Sequence, residues 1–283
     1  MKFFDGKKSA NKILKELAEN VKKSQIKPKL SVILVGDDEA SKIYVNLKKK
    51  AAAKVGIGFE EFRFSAQARS EDIIAKIKEL NSDETVSGVI VQLPLPAVFN
   101  ADKIIDTIAP EKDVDGFHRE NRKLLEKGKP RIMPVLPMAV LRAIQGGVKD
   151  LAGKEILALV NSEIFGQSLK LVLEKEGARV NFMVRNTCVV LGAEKDMRSA
   201  DIIVTVCGCP SLIKDEMIKE GAVLIDGGIT RYHDGRVVGD VDAQSVETKA
   251  AFLTPVPGGI GPLTVALLLK NVYLAASRVD PRV

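Results

Sequence analysis

Short apolar runs that alternate with helical stretches restrict this chain to an α/β architecture built on parallel sheets. Residues 30–35 (Leu-Ser-Val-Ile-Leu-Val) form a β-run that stops at Gly36-Asp37-Asp38. Residues 41–56 read as a helix, with strong helix formers at Ala51 to Ala53 and Gly56 placed to end it. Within it Ile43, Leu47, Ala51 and Val55 recur every four residues and are expected to be the buried stripe. Residues 59–64 read as the next strand, and residues 70–80 as an amphipathic helix capped by Ser70. Residues 88–91 read as a buried strand running into Gln92, Pro94 and Pro96. A helix over 6–22 precedes this series. Strands over 153–160, 179–184, 200–208 and 221–229, with helices over 166–176 and 265–276, follow it. Such alternation implies parallel sheets covered on both faces, with ligands beyond the carboxyl ends of the strands.

A length of 283 residues suits two domains, and 46% hydrophobic with 28% charged residues suits a chain that buries a sizeable core. No apolar run is read as long enough to span a membrane, and the first residues do not read as a signal peptide. Cys188, Cys207 and Cys209 are read as free thiols without disulfide framework or metal spacing, which places the chain in a reducing cytoplasm. With only His118 and His233, no metal site is expected. The net charge of +6 is mixed along the chain, and 5% aromatics offer no stacking platform for nucleic acid. A small polyanionic substrate fits as well, and so does ordinary solubility.

Three polar residues stand out on the helix over 41–56. Ser41, Tyr44 and Lys48 are spaced by three, four and seven, so they share one side of it. Lys48 could transfer protons if its pKa were lowered, with Tyr44 stacking and Ser41 orienting. Taken alone the same residues read as a basic solvated face, since Lys49, Lys50 and Lys54 follow. Further on, Asp113 and Asp115 are two apart, which in an extended segment puts them on one side. They read either as a metal pair or as an acidic turn closed by Gly116.

Four segments together resemble the bifunctional methylenetetrahydrofolate dehydrogenase/methenyltetrahydrofolate cyclohydrolase family. They are Ser41-Lys42-Ile43-Tyr44 with Lys48, residues 91–96 (Val-Gln-Leu-Pro-Leu-Pro), residues 110–117 (Pro-Glu-Lys-Asp-Val-Asp-Gly-Phe), and residues 254–264 with three glycines and three prolines. The resemblance covers essentially the full length. It implies that Lys48 is the catalytic acid/base, tuned by Gln92, with Tyr44 against the folate and Asp115 holding the pterin ring. Ser41, Pro94, Gly258, Gly259 and Pro262 would complete the folate site.

The pattern departs in the cofactor half. The family turn Gly-Arg-Ser-x-x-Val-Gly-x-Pro is here residues 160–168, keeping Ser162 and Gly166 but replacing the first glycine by Val160, the arginine by Asn161 and the proline by Ser168. Val160 would be strained at a turn wanting positive φ, and Glu163 would put negative charge where an anion binds. The family His-Ser-x-Thr is Val184-Arg185-Asn186-Thr187, so Arg185 could replace the lost charge toward the 2′-phosphate of NADP. A solvated strand-end charge is the other reading of Arg185. Outside that half, in a loop that the resemblance puts beside the substrate, residues 134–137 (Pro-Val-Leu-Pro) replace Pro-Cys-Thr-Pro. Gly208, Ile229 and the segment Gly239-Asp240-Val241-Asp242 suit the nicotinamide side.

The reading is an α/β chain of two domains around a cleft. Residues 1–137, with a returning helix over 264–283, form a folate-binding catalytic domain, and residues 138–263 a Rossmann-like NAD(P)-binding domain. Folate-binding and catalytic residues are Lys48, Gln92, Tyr44, Ser41, Asp115, Pro94, Gly258, Gly259 and Pro262. Cofactor residues are Ser162, Gly166, Arg185, Gly208 and Ile229. The expected reactions are oxidation of 5,10-methylenetetrahydrofolate with NADP, or else NAD, and hydrolysis of the methenyl product to 10-formyltetrahydrofolate. The alternatives are a cyclohydrolase with weak or absent dehydrogenase activity and a non-catalytic folate-binding paralogue. The expected partner is a reduced, polyglutamylated folate, with no nucleic acid or membrane, and the resemblance implies a cytoplasmic homodimer.

Overall fold

The computed structural model describes residues 1–185, 187, 188, 192, 194–232 and 234–277. Asn186, His233 and the last six residues of the expected returning segment lie outside the described residues. In chain order the elements are β1 (Lys2–Phe3), α1 (Gly6–Lys23), β2 (Lys29–Val35), α2 (Glu39–Val55), β3 (Gly58–Phe64), α3 (Ser70–Ser82), β4 (Gly88–Val91), α4 (Ala101–Ile105), α5 (Arg119–Glu126), α6 (Val135–Gly147), β5 (Glu155–Val160), α7 (Glu163–Glu174), β6 (Arg179–Val184), α8 (Glu194–Ser199), β7 (Ile202–Val206), β8 (Val223–Asp226), β9 (Thr230–Arg231), β10 (Val237–Val238), β11 (Phe252–Leu253) and α9 (Ile260–Ser277), with a single 3₁₀ turn at Asp215–Met217.

The chain divides into two compact units, Ala10–Val135 with Val265–Val283, and Met1–Ser9 with Leu136–Thr264. The expected first domain of 1–137 therefore loses its first nine residues to the other unit. There β1 pairs in parallel with β11, Lys2 opposite Phe252, and the Phe4 ring tilts against Phe252 at 6.2 Å between centroids.

In the unit that starts at Ala10, three parallel strands lie in the order β3-β2-β4. On one face Ile33 and Val35 of β2 pack with Ile73, Ile77 and Leu80 of α3 and with Phe99 and Ile104. The alternate positions Leu30, Val32 and Leu34 are as deeply buried, so both faces of β2 are covered. After β2 the chain passes to β3 on one side and then to β4 on the other. That reversal opens a crevice at the carboxyl ends of β2 and β4.

Helix α2 leaves the first of those ends. Asp38 caps it, accepting the Ser41 N–H at 2.7 Å, and Gly56 ends it with φ of 80°. The expected stripe holds only at Val55. The buried residues of the helix are Ser41, Val45, Ala52 and Val55, whereas Ile43 and Leu47 are 37% and 48% exposed. Strict four-residue spacing drifts by about 40° per step around a helix of 3.6 residues per turn, while mixed steps of four and three hold one face. Ser70 does not cap α3 either: it is the first helical residue, and Arg69 occupies the cap without a side-chain hydrogen bond.

The other unit carries six parallel strands in the order β1-β11-β8-β7-β5-β6, with β9 and β10 paired antiparallel beside them. Here β5 is the first strand of its series, β6 lies on one side of it and β7 on the other. Helix α7 starts at Glu163, three residues before the expected start, because Ser162 caps it. Gly166 thus lies inside the helix, where a Cβ would overlap the Phe182 ring of β6. Val160 is the last residue of β5, paired with Val184 and Val206. It is not among the residues of positive φ, so the expected strain is absent.

Two further expectations fail. Cys188 and Cys209 form a disulfide, leaving Cys207 as the free thiol. The final helix α9, 18 residues long, is by length and composition apolar enough to cross a membrane, against the expectation that no run reaches that. Over half of it is buried. Its Asn271 donates to Val114 O at 2.8 Å and Met133 O at 2.9 Å, so its apolar surface lines a protein interior.

Asp38→Ala removes the cap of the helix that carries Lys48. It should lower the unfolding free energy by about 1 kcal/mol, read as a lower urea midpoint with an unchanged slope.

Candidate active site

Lys48 is the centre of the first site. From the third turn of α2 its Nζ donates to Gln92 Oε1 at 2.7 Å. Gln92 is the residue after β4, held in register by its own N–H on Ile33 O. Its amide Nε2 donates to Leu93 O at 2.6 Å, which turns the oxygen toward the lysine. A neutral amide thus positions the ammonium without adding a counter-charge. Burial lowers the Lys48 pKa, and the charge of Asp115 pulls against that shift. Burial raises Asp115 to about 6, lowered in part by Lys48 and raised further by Asp113. Burial likewise raises the Tyr44 phenol, one turn before Lys48.

The two aspartates of the turn divide the work. Asp113 is buried and accepts from Gly116 N at 3.1 Å, His118 N at 2.8 Å and Asn121 Nδ2 at 2.9 Å. Asn121 also donates to Pro110 O at 2.7 Å. Asp113 therefore builds the turn, and Asp115 acts electrostatically on Lys48. The metal-pair reading fails, because the first carboxylate is consumed by backbone N–H groups. Asp113 and Asn121 as a clamp went unread in the sequence, although their spacing around Gly116 was visible. Ser41 is buried with no hydrogen-bond partner for Oγ. Pro94 follows Leu93 through a cis peptide.

Of the other expected folate residues, Gly258 and Gly259 lie in the loop before α9, and Pro262 lies in the first turn of that helix. The loop is shorter than expected because α9 begins at Ile260.

The expected cofactor residues gather on one sheet edge. Ser162 follows β5, Arg185 follows β6, Gly208 follows β7 and Ile229 follows β8. Arg185 N–H donates to Val160 O at 2.7 Å, which sets it beside the turn into α7. Its charge also reaches Cys207 beyond β7, whose thiol burial pushes up. Glu163 does not face the helix axis as a bare anion: its carboxylate accepts from Gln167 Nε2 one turn along at 3.1 Å. Gly166 contributes close packing of helix on strand rather than a turn.

Two buried carboxylates lie behind this edge; Asp240 falls in the segment 239–242 expected on the nicotinamide side, but its bonding to the loops, and Asp226 altogether, were not read from the sequence. Asp240 accepts from Thr205 Oγ1, Cys207 N and Cys209 N, each at 2.7 Å. Asp226 accepts from Gly228 N, Asp240 N and Val241 N, and burial raises it to about 7, with Asp240 adding to the rise. An acidic residue ending the apolar run 223–226 was the available signal.

The family model described as tetrahydrofolate dehydrogenase/cyclohydrolase, catalytic domain, matches residues 4–115, and that of its NAD(P)-binding domain matches residues 134–280. The chain belongs to the tetrahydrofolate dehydrogenase/cyclohydrolase family. It is 41% identical over 275 residues to the bifunctional protein FolD 2 of Geobacter sulfurreducens, covering 96% of this chain and 95% of that one. Among solved structures it is similar to the bifunctional FolD enzyme of Campylobacter jejuni, with a TM-score of 0.90 and 37% identity over 98% and 99% of the two chains. The Trypanosoma brucei FolD enzyme, solved with NADP cofactor and inhibitor, gives a TM-score of 0.90 and 34% identity over 98% and 97%.

Asp115→Asn removes a carboxylate whose folded pKa is raised, so the native state binds its proton more tightly than the unfolded chain. The wild type therefore loses stability as pH rises from the ordinary carboxylate value through about 6. The variant should match it near pH 4 and exceed it by about 1–3 kcal/mol at pH 8, measured by urea unfolding at both pH values. Folate binding should be lost at both.

Proposed function

We propose that this chain oxidises 5,10-methylenetetrahydrofolate to the 5,10-methenyl compound with NADP and hydrolyses that product to 10-formyltetrahydrofolate. The carrying observation is Lys48 held by the neutral Gln92 with Asp115 within electrostatic reach. Asp115 suits the 2-amino-pyrimidinone edge of a pterin, where a carboxylate accepts two parallel N–H bonds. Tyr44 offers a flat face to the heterocycle. The methenyl carbon is cationic, so a charged ammonium beside it would repel it. Burial favours the neutral amine of Lys48, which can take a proton from the attacking water and return it as the ring opens. Gln92 holds Nζ in place through both transfers.

The second unit fits a dinucleotide. Ser162 and the first N–H groups of α7 face the end of β5, and the Gly166 contact brings that helix close to the sheet. Arg185 at the end of β6 stands where an adenosine ribose would lie, and a guanidinium there selects a 2′-phosphate. When bound, NADP accepts the hydride from the one-carbon bridge; the protein supplies position. The relaxed Val160 removes one physical objection to dehydrogenase activity, and Gln167 draws the Glu163 carboxylate along the helix without cancelling its charge. The net charge of +6 suits a polyglutamylated tail. We also assign a homodimer and a cytoplasmic site, without nucleic acid or membrane, on the family resemblance. In a reducing cytoplasm the Cys188–Cys209 bridge would be open.

One preparation assayed for methylene oxidation with NADP and with NAD, and for methenyl hydrolysis, tests the proposal. Both reactions, with NADP preferred, are expected. Hydrolysis alone would leave a cyclohydrolase, and folate binding with neither reaction a paralogue. Lys48→Met should cut hydrolysis by about 10²–10⁴-fold. Arg185→Gln should raise KM for NADP and leave KM for NAD unchanged; an equal effect on both would remove Arg185 from the 2′-phosphate.

A further inference from the structure

The sheet order β7-β5-β6 marks where the chain, having gone from β5 to β6, crosses back to the other side of β5. Ligands of open parallel sheets enter at that reversal, beyond the carboxyl ends. Its two lips are the turn at 160–162 after β5 and the loop Cys207-Gly208-Cys209 after β7. The second lip has little to hold it by itself. Gly208 sits at φ of 71°, and a Cβ there would meet nothing within 4 Å. Besides the Cys188–Cys209 bridge, what holds the loop is a carboxylate from a remote segment, 33 residues along the chain from Cys207.

We propose that Asp240 is a positioning residue for hydride transfer: it fixes the loop at 207–209 in the shape that receives the nicotinamide half of the dinucleotide. The inference rests on the dehydrogenase reading above and deepens it. Asp240 Oδ2 accepts Cys207 N–H and the Thr205 hydroxyl, and Oδ1 accepts Cys209 N–H. Both oxygens are thus engaged on either side of Gly208, and the carboxylate is fully buried. Thr230 Oγ1 donates to Gly208 O at 3.1 Å from the far side. Asp226 in turn holds the Asp240 backbone N–H at 3.1 Å and that of Gly228 at 2.9 Å, which ties the loop after β8 to the same clamp. The backbone accepts this packing only because two residues lack side chains. A Cβ on Gly228 would overlap the Asp240 carboxylate, and one on Gly239 would overlap that of Asp226. A carboxylate accepts three donors with no donor of its own, whereas an amide would turn an N–H against at least one of them.

Asp240→Asn is the direct test, because the two reactions divide the readout. Methenyl hydrolysis needs Lys48, Gln92 and Asp115 and no dinucleotide. Losing a buried charge-assisted contact should raise KM for NADP by about tenfold or more, with kcat for oxidation reduced and methenyl hydrolysis within about twofold of wild type. Thr205→Val, which removes one hydroxyl donor, should move KM for NADP the same way by a smaller factor, and it decides the matter if the Asn variant does not fold. All assays are run with and without dithiothreitol, so that the Cys188–Cys209 bridge is not the variable. Oxidation and hydrolysis falling in parallel, or KM for NADP unchanged in both variants, would overturn the proposal. A wild type without oxidation would instead overturn the dehydrogenase reading on which it rests.

Discussion

The 2.7 Å hydrogen bond between Lys48 and Gln92 joins two elements that the sheet order forces together. Lys48 stands on the helix leaving β2, and Gln92 stands at the end of β4, the neighbour on which the chain arrives after its reversal. The choice of partner decides the chemistry. A carboxylate at position 92 would raise the lysine and lock it as an ammonium, whereas the amide leaves burial to lower it. The negative charge that pulls on Lys48 comes from Asp115, whose own pKa burial raises to about 6. Two groups with opposed shifts, neither satisfied by a close ion pair, are a poor design for stability and a usable one for proton transfer.

The second unit repeats the topology with different chemistry. Its first strand, β5, also has its successor on one side and the next strand on the other. The reversal therefore falls again at the carboxyl end, but no lysine column follows β5. Small and capping residues follow it instead, and acidic side chains from the segments 226 and 239–241 stand behind the loops. Those carboxylates bind backbone N–H groups rather than a substrate. Binding a dinucleotide calls for shaped backbone, and binding a one-carbon cation calls for a titratable amine. The same sheet reversal serves both because it leaves only the ends of strands to be decorated.

Much of this was legible in the residues. The strand over 30–35 is a short, largely apolar run whose length separates it from a helix, and the column Ser41, Tyr44 and Lys48 follows from helical spacing. What escaped was set by contacts distant in sequence. Spacing placed Ile43 and Leu47 on a buried stripe, but the side of α2 that meets the sheet is chosen by Val45 and Ala52. The disulfide joins Cys188 to Cys209, 21 residues apart, and is visible only once β6 and β7 are known to flank β5. The assignment of Met1–Ser9 to the other unit depends on two residues of β1 finding β11, a pairing no local pattern announces. Asp113 and Asp115 look equivalent as letters; the N–H groups of Gly116 and His118 make one structural and leave the other free to act.

The altered turn at 160–168 shows how a motif can change while its physical requirement stands. A glycine is needed at a strand end only if the chain must turn there with positive φ. Here β5 continues through Val160, and the turn is made by Asn161 and Ser162, neither of which has positive φ. An acidic residue in the first turn of α7 opposes an anion only if its carboxylate stays at the helix mouth. Glu163 instead lies along the helix toward Gln167. A lost arginine matters only if no other cation reaches the same edge, and Arg185 is bonded through its backbone to Val160 at the lip of that turn. What an anion requires is a capped helix start close against the sheet with a cation beside it. Ser162 and Gly166 supply the first two conditions with one glycine fewer, and Arg185 is the cation we propose for the third.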